Sequence, residues 1–331
     1  MNGSEPQTAV ESRRTPTMSI VVPNYNHGHL IGEALAAIAG QTAAPFEVIV
    51  VDDGSTDDSV TRIRALAGDM PLQLHCHPRN SGVVAAMNTG LSLVRGDFVL
   101  FSAADDRLAK KTVELATAAA AEFPASGIVF SDHALMSADG SDMRVMPLDF
   151  PGVRRHFSGR DFIALMRRSF FGFHVSSAWF NVELLRALGG FRAELRWHCD
   201  LFVTYAAAFD RGATYVPGAV SYFRQLPTSY GTTGTRSNAQ MDVLRAWLAA
   251  TREPGWEATR AAFVKAAILP EYSLRAMRAL RSDPGYLTFR LFRRLVWLSF
   301  WMTVAPFVST RARTWMRGIR SRYRKSRLKS G

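Results

Sequence analysis

Four short apolar runs, each stopped by a polar turn and separated from the next by a stretch of helical spacing, fill residues 19–102 and limit the folds open to this chain. "MSIVVPNYN" reads as a strand over Ser19 to Val22, halted by Pro23 and a turn-prone Asn/Tyr/Asn segment. "HLIGEALAAIAGQ" follows with Leu30, Leu35 and Ile38 at helical spacing. "FEVIVVDDGSTDDSV" is a second strand, an acidic Gly/Ser turn and a helix entry at Thr56 to Ser59. "LQLHCH", "VVAAMNTGLSLV" and "DFVLFS" add a strand, a helix and a fourth strand. This alternation predicts an α/β fold, a mostly parallel sheet covered by helices on both faces.

In such a sheet, ligands bind in the crevice outside the carboxyl ends of the strands. The loops leaving those ends carry Asn24/Tyr25/Asn26, Asp52/Asp53 and Asp105/Asp106, so acids recur along one edge. A carboxylate there can hold a hard cation or a ligand. It can equally cap a following helix, and Asp105 or Asp106 would cap the one expected near Lys110. The phosphate-binding patterns GxGxxG and GxxxxGK[ST] are both absent after the first strand, where the chain reads "PNYNHGHLIG".

Further along, "SGIVFSDHALM" reads as a strand and "DFIALMRR" as a short helix. "HVSSAWFNVELLRALGGF" is a strand leading into a helix that ends at Gly189 and Gly190. "HCDLFVTYAAAFDRG" is another helix, with Asp200 near its start, and "TYVPGAVSYFR" a late strand. Near Thr235 the composition turns helical and rich in Arg and Ala. Three regions follow: a polar lead-in over 1–17, an α/β domain over 18–235 and a helical region over 236–331.

Nine of the twelve excess positive charges lie after Ser309, with no acid among them. Basicity therefore belongs to a C-terminal appendage, and with no RRM-like or helix-turn-helix context nucleic acid is not an expected partner. Cys76 and Cys199 form neither a disulfide framework nor a zinc motif, which fits a reducing, cytoplasmic setting.

"SIVVPNYNHGHLIGEALAAIAGQT", "VIVVDDGSTDDS", "NSGVVAAMNTGL" and "GDFVLFSAADDRL", in this order and spacing, resemble the N-terminal half of a family 2 glycosyltransferase with the GT-A (Rossmann-like) fold. The resemblance continues through "LLRALGGF", "HCDLF" and "YVPGAVSYFR" and covers about residues 18–235. It implies that Pro23 and Tyr25 line a nucleotide pocket, and that Asp53, with Asp52 beside it, hydrogen-bonds the base, usually uracil. It further implies that Asn80, Gly82 and Asn88 shape the loop and helix crossing the site.

The family's DxD element falls on Ala103 to Asp105, with Ala103 in place of the first acid. Asp105 is then the expected ligand of Mg²⁺ or Mn²⁺, and Asp106 a second ligand, an acceptor contact or the helix cap. Asp200 occupies the position of the catalytic base, with Cys199 where a Glu often stands; a helix-stabilising role is its alternative. His198 is a candidate contact to acceptor or diphosphate. The resemblance implies that Arg224, in "YFRQ", helps at the diphosphate or acceptor edge, and a surface salt bridge is its alternative. Trp179 and Trp197 are candidates for stacking on a sugar or for packing.

The apolar stretch Leu295 to Val308 is shorter than the ~20 residues of a spanning helix. With Arg290, Arg293 and Arg294 before it and the basic tail after it, it reads as an interfacial helix placing Trp297, Phe300 and Trp301 in the lipid boundary. Packing of these aromatics on the α/β domain is the alternative. The resulting expectation is a metal-dependent, inverting glycosyltransferase at the inner face of the cell membrane. Its donor is a nucleotide sugar, UDP-linked, and its acceptor a hydroxyl of a glycan or lipid-linked molecule in cell-surface polysaccharide synthesis. Competing expectations are a catalytically silent relative that binds a sugar nucleotide or glycan, kept open by Ala103 and Cys199, and a membrane-surface scaffold.

Overall fold

The structure is a computed structural model and describes residues 14–304 apart from residues 69, 149, 151, 169–173 and 228. Most of the lead-in and all of the basic tail lie outside the described residues. In chain order the strands are β1 (Met18–Asn24), β2 (Glu47–Asp52), β3 (Leu72–Cys76), β4 (Phe98–Phe101), β5 (Arg107–Leu108), β6 (Ile128–Met136), β7 (Met143–Met146), β8 (Arg155–Phe157), β9 (Ala178–Asn181) and β10 (Ala213–Arg224). The helices among them are α1 (Gly28–Ala39), α2 (Ser59–Leu66), α3 (Val83–Leu93), α4 (Thr112–Glu122), α5 (Gly159–Arg168), α6 (Val182–Ala187) and α7 (Cys199–Arg211). Then follow α8 (Tyr230–Arg236), α9 (Gln240–Ala250), α10 (Glu257–Ala266), α11 (Met277–Leu280) and α12 (Phe289–Val304).

One sheet runs in the order β3-β2-β1-β4-β9-β6-β10-β5. It is parallel through β3, β2, β1 and β4 and again between β6 and β10; β9 runs antiparallel between the two parts. The antiparallel additions β5 and β8 are too short to have shown a period in the sequence, and β7 is largely exposed and lacks a buried apolar run.

Both faces are buried because the central strands carry apolar residues pointing to each side: Ile20 to Val22 in β1, Val48 to Val51 in β2 and all of β4. Along β1, Ile20 and Val22 face α1, α2 and α4, packing with Ile31, Leu35, Ile63 and Val113, while Val21 faces the other way. Val48 and Val50 against Ile49 and Val51, and Phe98 and Leu100 against Val99 and Phe101, repeat the alternation. The second face packs on α3, α5 and α7 and continues without a break through Trp247, Phe263 and Tyr286 to Leu291 and Leu295. The change of composition near Thr235 is therefore not a break in the core.

Candidate active site

The loops after β1 and β2 are braced to one another. Asn24 donates to Asp52 Oδ1 at 2.7 Å, and Asp52 accepts from the Ser55 backbone and hydroxyl at 2.9 and 2.6 Å. Ser55 in turn receives the Asn26 N–H, and Asn26 accepts from Thr56. Asp52 is thus a buried brace between two strand ends. Asp53 is equally buried and receives Ser81 and Gly82 N–H groups at 2.9 and 2.7 Å, with the His77 ring at 2.7 Å. Asn80 accepts from Gly82 at 3.0 Å, so the segment from His77 to Gly82 is folded around the Asp53 carboxylate. Tyr25 is 40% exposed at the mouth of this loop pair, with Pro23 half-buried behind it.

Around Asp105 the two adjacent acids have different fates. Asp106 is buried and accepts the Arg224 backbone N–H at 3.0 Å. Burial and the neighbouring Asp105 charge push its carboxyl well above the usual range. The expected helix cap is not formed by either acid. α4 starts six residues past Asp106, and its Val113 N–H is met by Gln41 Oε1, which reaches across from the end of α1. Asp105 is half-buried, and its carboxylate has no hydrogen-bond partner among the described residues.

Arg224 corrects the expectation of a diphosphate or surface contact. It is 1% exposed and spends its guanidinium inside the protein, on the carbonyls of Asp105 (2.9 Å) and Ala138 (2.8 Å) and on Glu33 (2.5 Å). Arg107 also pairs with Glu33. Burial pushes the Glu33 carboxyl up, but hydrogen bonds from the two arginines outweigh it and hold it below its ordinary value. A four-residue clamp, Glu33, Arg107, Arg224 and Asp106, therefore fixes the backbone that presents Asp105.

Asp200 lies in the first turn of α7. That helix ends beside Gly212, whose carbonyl accepts from Gly127 next to the start of β6, so its first turn points toward the edge where the parallel strands finish. Removal from water raises the Asp200 carboxyl to about 6, against the lowering effect of the Leu201 N–H, which donates to it at 2.6 Å, and of its own backbone N–H. Cys199 stays a buried thiol pushed well up by burial and by the Asp200 charge.

The segment leading to Asp200 is held from two sides. Asn88 makes two hydrogen bonds to the Phe191 backbone, so its amide is committed to the turn after Gly190 and not to a nucleotide. On the other side Gln240, at the start of α9, accepts from the Trp197 indole at 2.6 Å and lies 3.1 Å from His198 Nε2. Burial lowers His198 to about 4, which makes it a neutral, inward-facing ring instead of a cationic contact. Arg196 between them has φ 47° and ψ −120°, a sparsely populated conformation for a non-glycine residue that costs on the order of 1–3 kcal/mol. Trp179 is buried in the core, whereas Trp197 is half-buried against Gly234 and Tyr230.

Glu33, His77 and Gln240 were not legible as site residues. Glu33 and Gln240 sit in ordinary helical patterns, and their roles arise only from partners far away in sequence. Among the described residues, no group of three or more His, Cys, Asp or Glu side chains clusters as a metal cage. A separate cavity of about 550 Å³ beside Gly96, Asp97 and Arg186 lies at the opposite end of the sheet, where β4 begins, and takes no part in this arrangement.

The comparisons agree with the fold and the motifs. The model of the family described as "Glycosyl transferase family 2" matches residues 19–188. A PGL/p-HBAD biosynthesis glycosyltransferase of Mycobacterium tuberculosis is 33% identical over 126 residues, 38% of this chain and 49% of that protein. An uncharacterized glycosyltransferase of Haemophilus influenzae is 34% identical over 100 residues, 30% of this chain and 40% of that protein. The chain therefore spans about half or less of the length of these relatives. Among solved structures, S. aureus TarS 1-349 in complex with UDP-GlcNAc superposes with a TM-score of 0.61 at 21% identity, over 81% of this chain and 73% of that one. The mannosyltransferase PcManGT from Pyrobaculum calidifontis, in complex with GDP-Man and Mn2+, does so with 0.55 at 22% identity, over 95% and 88%. These likenesses carry the GT-A fold, and the family match, over just more than half of the sequence, carries the kinship: the chain belongs to glycosyl transferase family 2.

Proposed function

We propose that the protein is an inverting glycosyltransferase that moves a sugar from a nucleoside-diphosphate donor, UDP-linked, to a hydroxyl of a glycan or lipid-linked acceptor. One observation carries this reading. Of the acids near the strand ends, Asp105 has no side-chain partner among the described residues and Asp200 is bonded only within its own helix turn, whereas Asp52, Asp53 and Asp106 each tie together separate segments of the chain.

Asp200 takes the acceptor hydroxyl proton as the oxygen forms its bond to the anomeric carbon from the face opposite the diphosphate. The bond from that carbon to the diphosphate oxygen breaks, and its electrons leave with the nucleoside diphosphate. A base raised to about 6 is ionised at neutral pH yet basic enough to assist, which suits general-base work. The β1 and β2 loops receive the nucleoside. There Asn24 Oδ1 is buried with no partner among the described residues, an acceptor suited to a base N–H.

Asp105 is the residue fitted to a divalent cation. Its free carboxylate is one donor only, so the fit is to Mg²⁺ or Mn²⁺ held jointly with the diphosphate, as is ordinary for Mg²⁺ sites with one or two carboxylates. Such a cation would offset charge on the leaving diphosphate. The UDP assignment is supported by the UDP-GlcNAc complex of TarS, and metal use by the Mn2+ in the mannosyltransferase complex.

Calorimetry with UDP, GDP and dTDP, each with and without Mn²⁺, followed by a turnover assay with the sugar nucleotide of the preferred base, tests the proposal. Metal-enhanced binding of UDP and release of UDP on turnover are expected. Binding without turnover against any acceptor would favour the silent relative, whose support is Ala103 in place of an acid. No binding of any of the three would reject the reading.

A further inference from the structure

Helix α12 presents an apolar face outward. Leu291 and Leu295 are fully buried, and Arg294 on the inner side donates to the carbonyls of Ala266, Ala267 and Met166. At 3.6 residues per turn, Phe289, Val296 and Phe300 fall on the side opposite those leucines, with Phe292 beside them. Their exposures are 76%, 42%, 58% and 42%. Arg293 shares this side, its guanidinium 5.8 Å over the Phe289 ring, so the face is aromatic and aliphatic with a cation set into it, a composition that marks an interaction surface.

The charge around this line is of one sign. Arg290 and Arg293 are exposed on α12, and Arg275, Arg278 and Arg281 are exposed just before it. Asp283 is the last acid in the chain, and the residues after Ser309 bring nine more Lys and Arg. Among the described residues no helix is long and apolar enough to cross a bilayer. We infer that the Phe289/Phe292/Val296 face of α12 docks on an anionic lipid surface, its aromatic rings entering the headgroup boundary while the flanking arginines meet lipid phosphates.

The seat of α12 gives this docking a direction. Arg290 and Arg294 hold it on the carbonyls of Arg167 and Met166 at the C-terminal end of α5. α5 starts where α7 ends, since a Cβ on Gly159 would meet the Phe209 carbonyl, so its C-terminal end lies toward the end of α7 that bears Asp200. The lipid surface and the proposed base then share one end of the molecule. This orientation, which rests on the function proposed above, suits an acceptor embedded in the same membrane.

Co-sedimentation of the full chain with vesicles tests the docking without any sugar nucleotide, so its outcome is independent of whether the protein turns over. Binding is expected to vesicles of phosphatidylcholine with phosphatidylglycerol, and not to phosphatidylcholine alone. The double variant Phe289→Glu/Val296→Glu, with the basic tail intact, should bind at least tenfold more weakly while keeping the thermal midpoint and UDP affinity of the wild type. Arg278→Gln/Arg293→Gln should weaken binding at low salt and leave less difference at high salt. Wild-type chain that ignores both vesicles, or a Phe289→Glu/Val296→Glu variant that sediments like wild type, would overturn the assignment.

Discussion

Asn88 and Phe191, 103 residues apart, exchange two hydrogen bonds: the Asn88 amide donates to the Phe191 carbonyl at 2.7 Å, and its oxygen accepts the Phe191 N–H at 2.9 Å. The pair ties the middle of α3 to the turn from which the chain climbs to Asp200. Gly190 lets it form, since it has φ 70° and a Cβ there would come within 2.7 Å of Asn88 Oδ1. Asn88→Ala leaves two backbone groups unpaired and is expected to cost about 1–3 kcal/mol in a urea melt. It should also lower kcat with UDP affinity kept within twofold; an unchanged kcat would show that this latch does not position the base.

Asp200→Asn should reduce transfer by about 10²–10⁴ and leave UDP binding intact. In the wild type, kcat/KM should fall tenfold per pH unit below about 6, because only the ionised carboxylate accepts a proton. Stability has the opposite sign. A folded-state value raised above that of the unfolded chain means the ionised form opposes folding, so stability is lost as pH rises from about 4 to 6. Asp200→Asn should therefore raise the melting temperature relative to wild type above pH 6, by up to about 3 kcal/mol equivalent, and the gain should vanish near pH 4. A pH-independent difference between the two melts would contradict the cause given for the shift.

For Arg224, replacement by Met should remove the donors to the carbonyls of Asp105 and Ala138, at about 1–3 kcal/mol for each acceptor left buried. Lys is expected to rescue little, since one ammonium cannot span the three directions that the guanidinium serves. Both substitutions should weaken Mn²⁺-dependent UDP binding through the Asp105 backbone. Denaturation and calorimetry on the same samples separate the two effects.

The adjacent acids should separate cleanly. Asp105→Ala is expected to abolish the enhancement of UDP binding by Mn²⁺ with little change in melting temperature. Asp106→Ala, which strips the Arg224 N–H of its acceptor, should lower the melting temperature. The reverse pattern would exchange their roles.

Gly234 lies so close to the Trp197 indole that a Cβ would overlap it. Gly234→Ala should cost about 1–3 kcal/mol by overpacking and shift the tryptophan emission, which a thermal melt followed by fluorescence records.

The alternation that produces β1 to β4 and α1 to α4 was readable because it depends on neighbours within a few residues: apolar runs of strand length, Leu30, Leu35 and Ile38 on one helix face, and turns rich in Asn, Asp and Gly. The position of Asp200 at a helix start was readable for the same reason. β9 was readable as a strand, but its antiparallel insertion between β4 and β6 was not, because pairing partners leave no local period.

Side-chain partnership is where local pattern ends. From sequence, Asp52, Asp53, Asp105 and Asp106 are four similar acids at strand ends; in the fold three are bonded to other segments of the chain, and Asp105 has no side-chain partner among the described residues. Arg224 reads as an exposed strand-end cation and proves to be a buried clamp, because Glu33, 191 residues away, is brought beneath it. Sequence alone determined the α/β alternation, the family and the edge at which the strand-end acids gather, all of which follow from short-range spacing. Only the tertiary structure decided which polar groups are free to meet a ligand, since that depends on what the folded chain sets within about 3 Å of each.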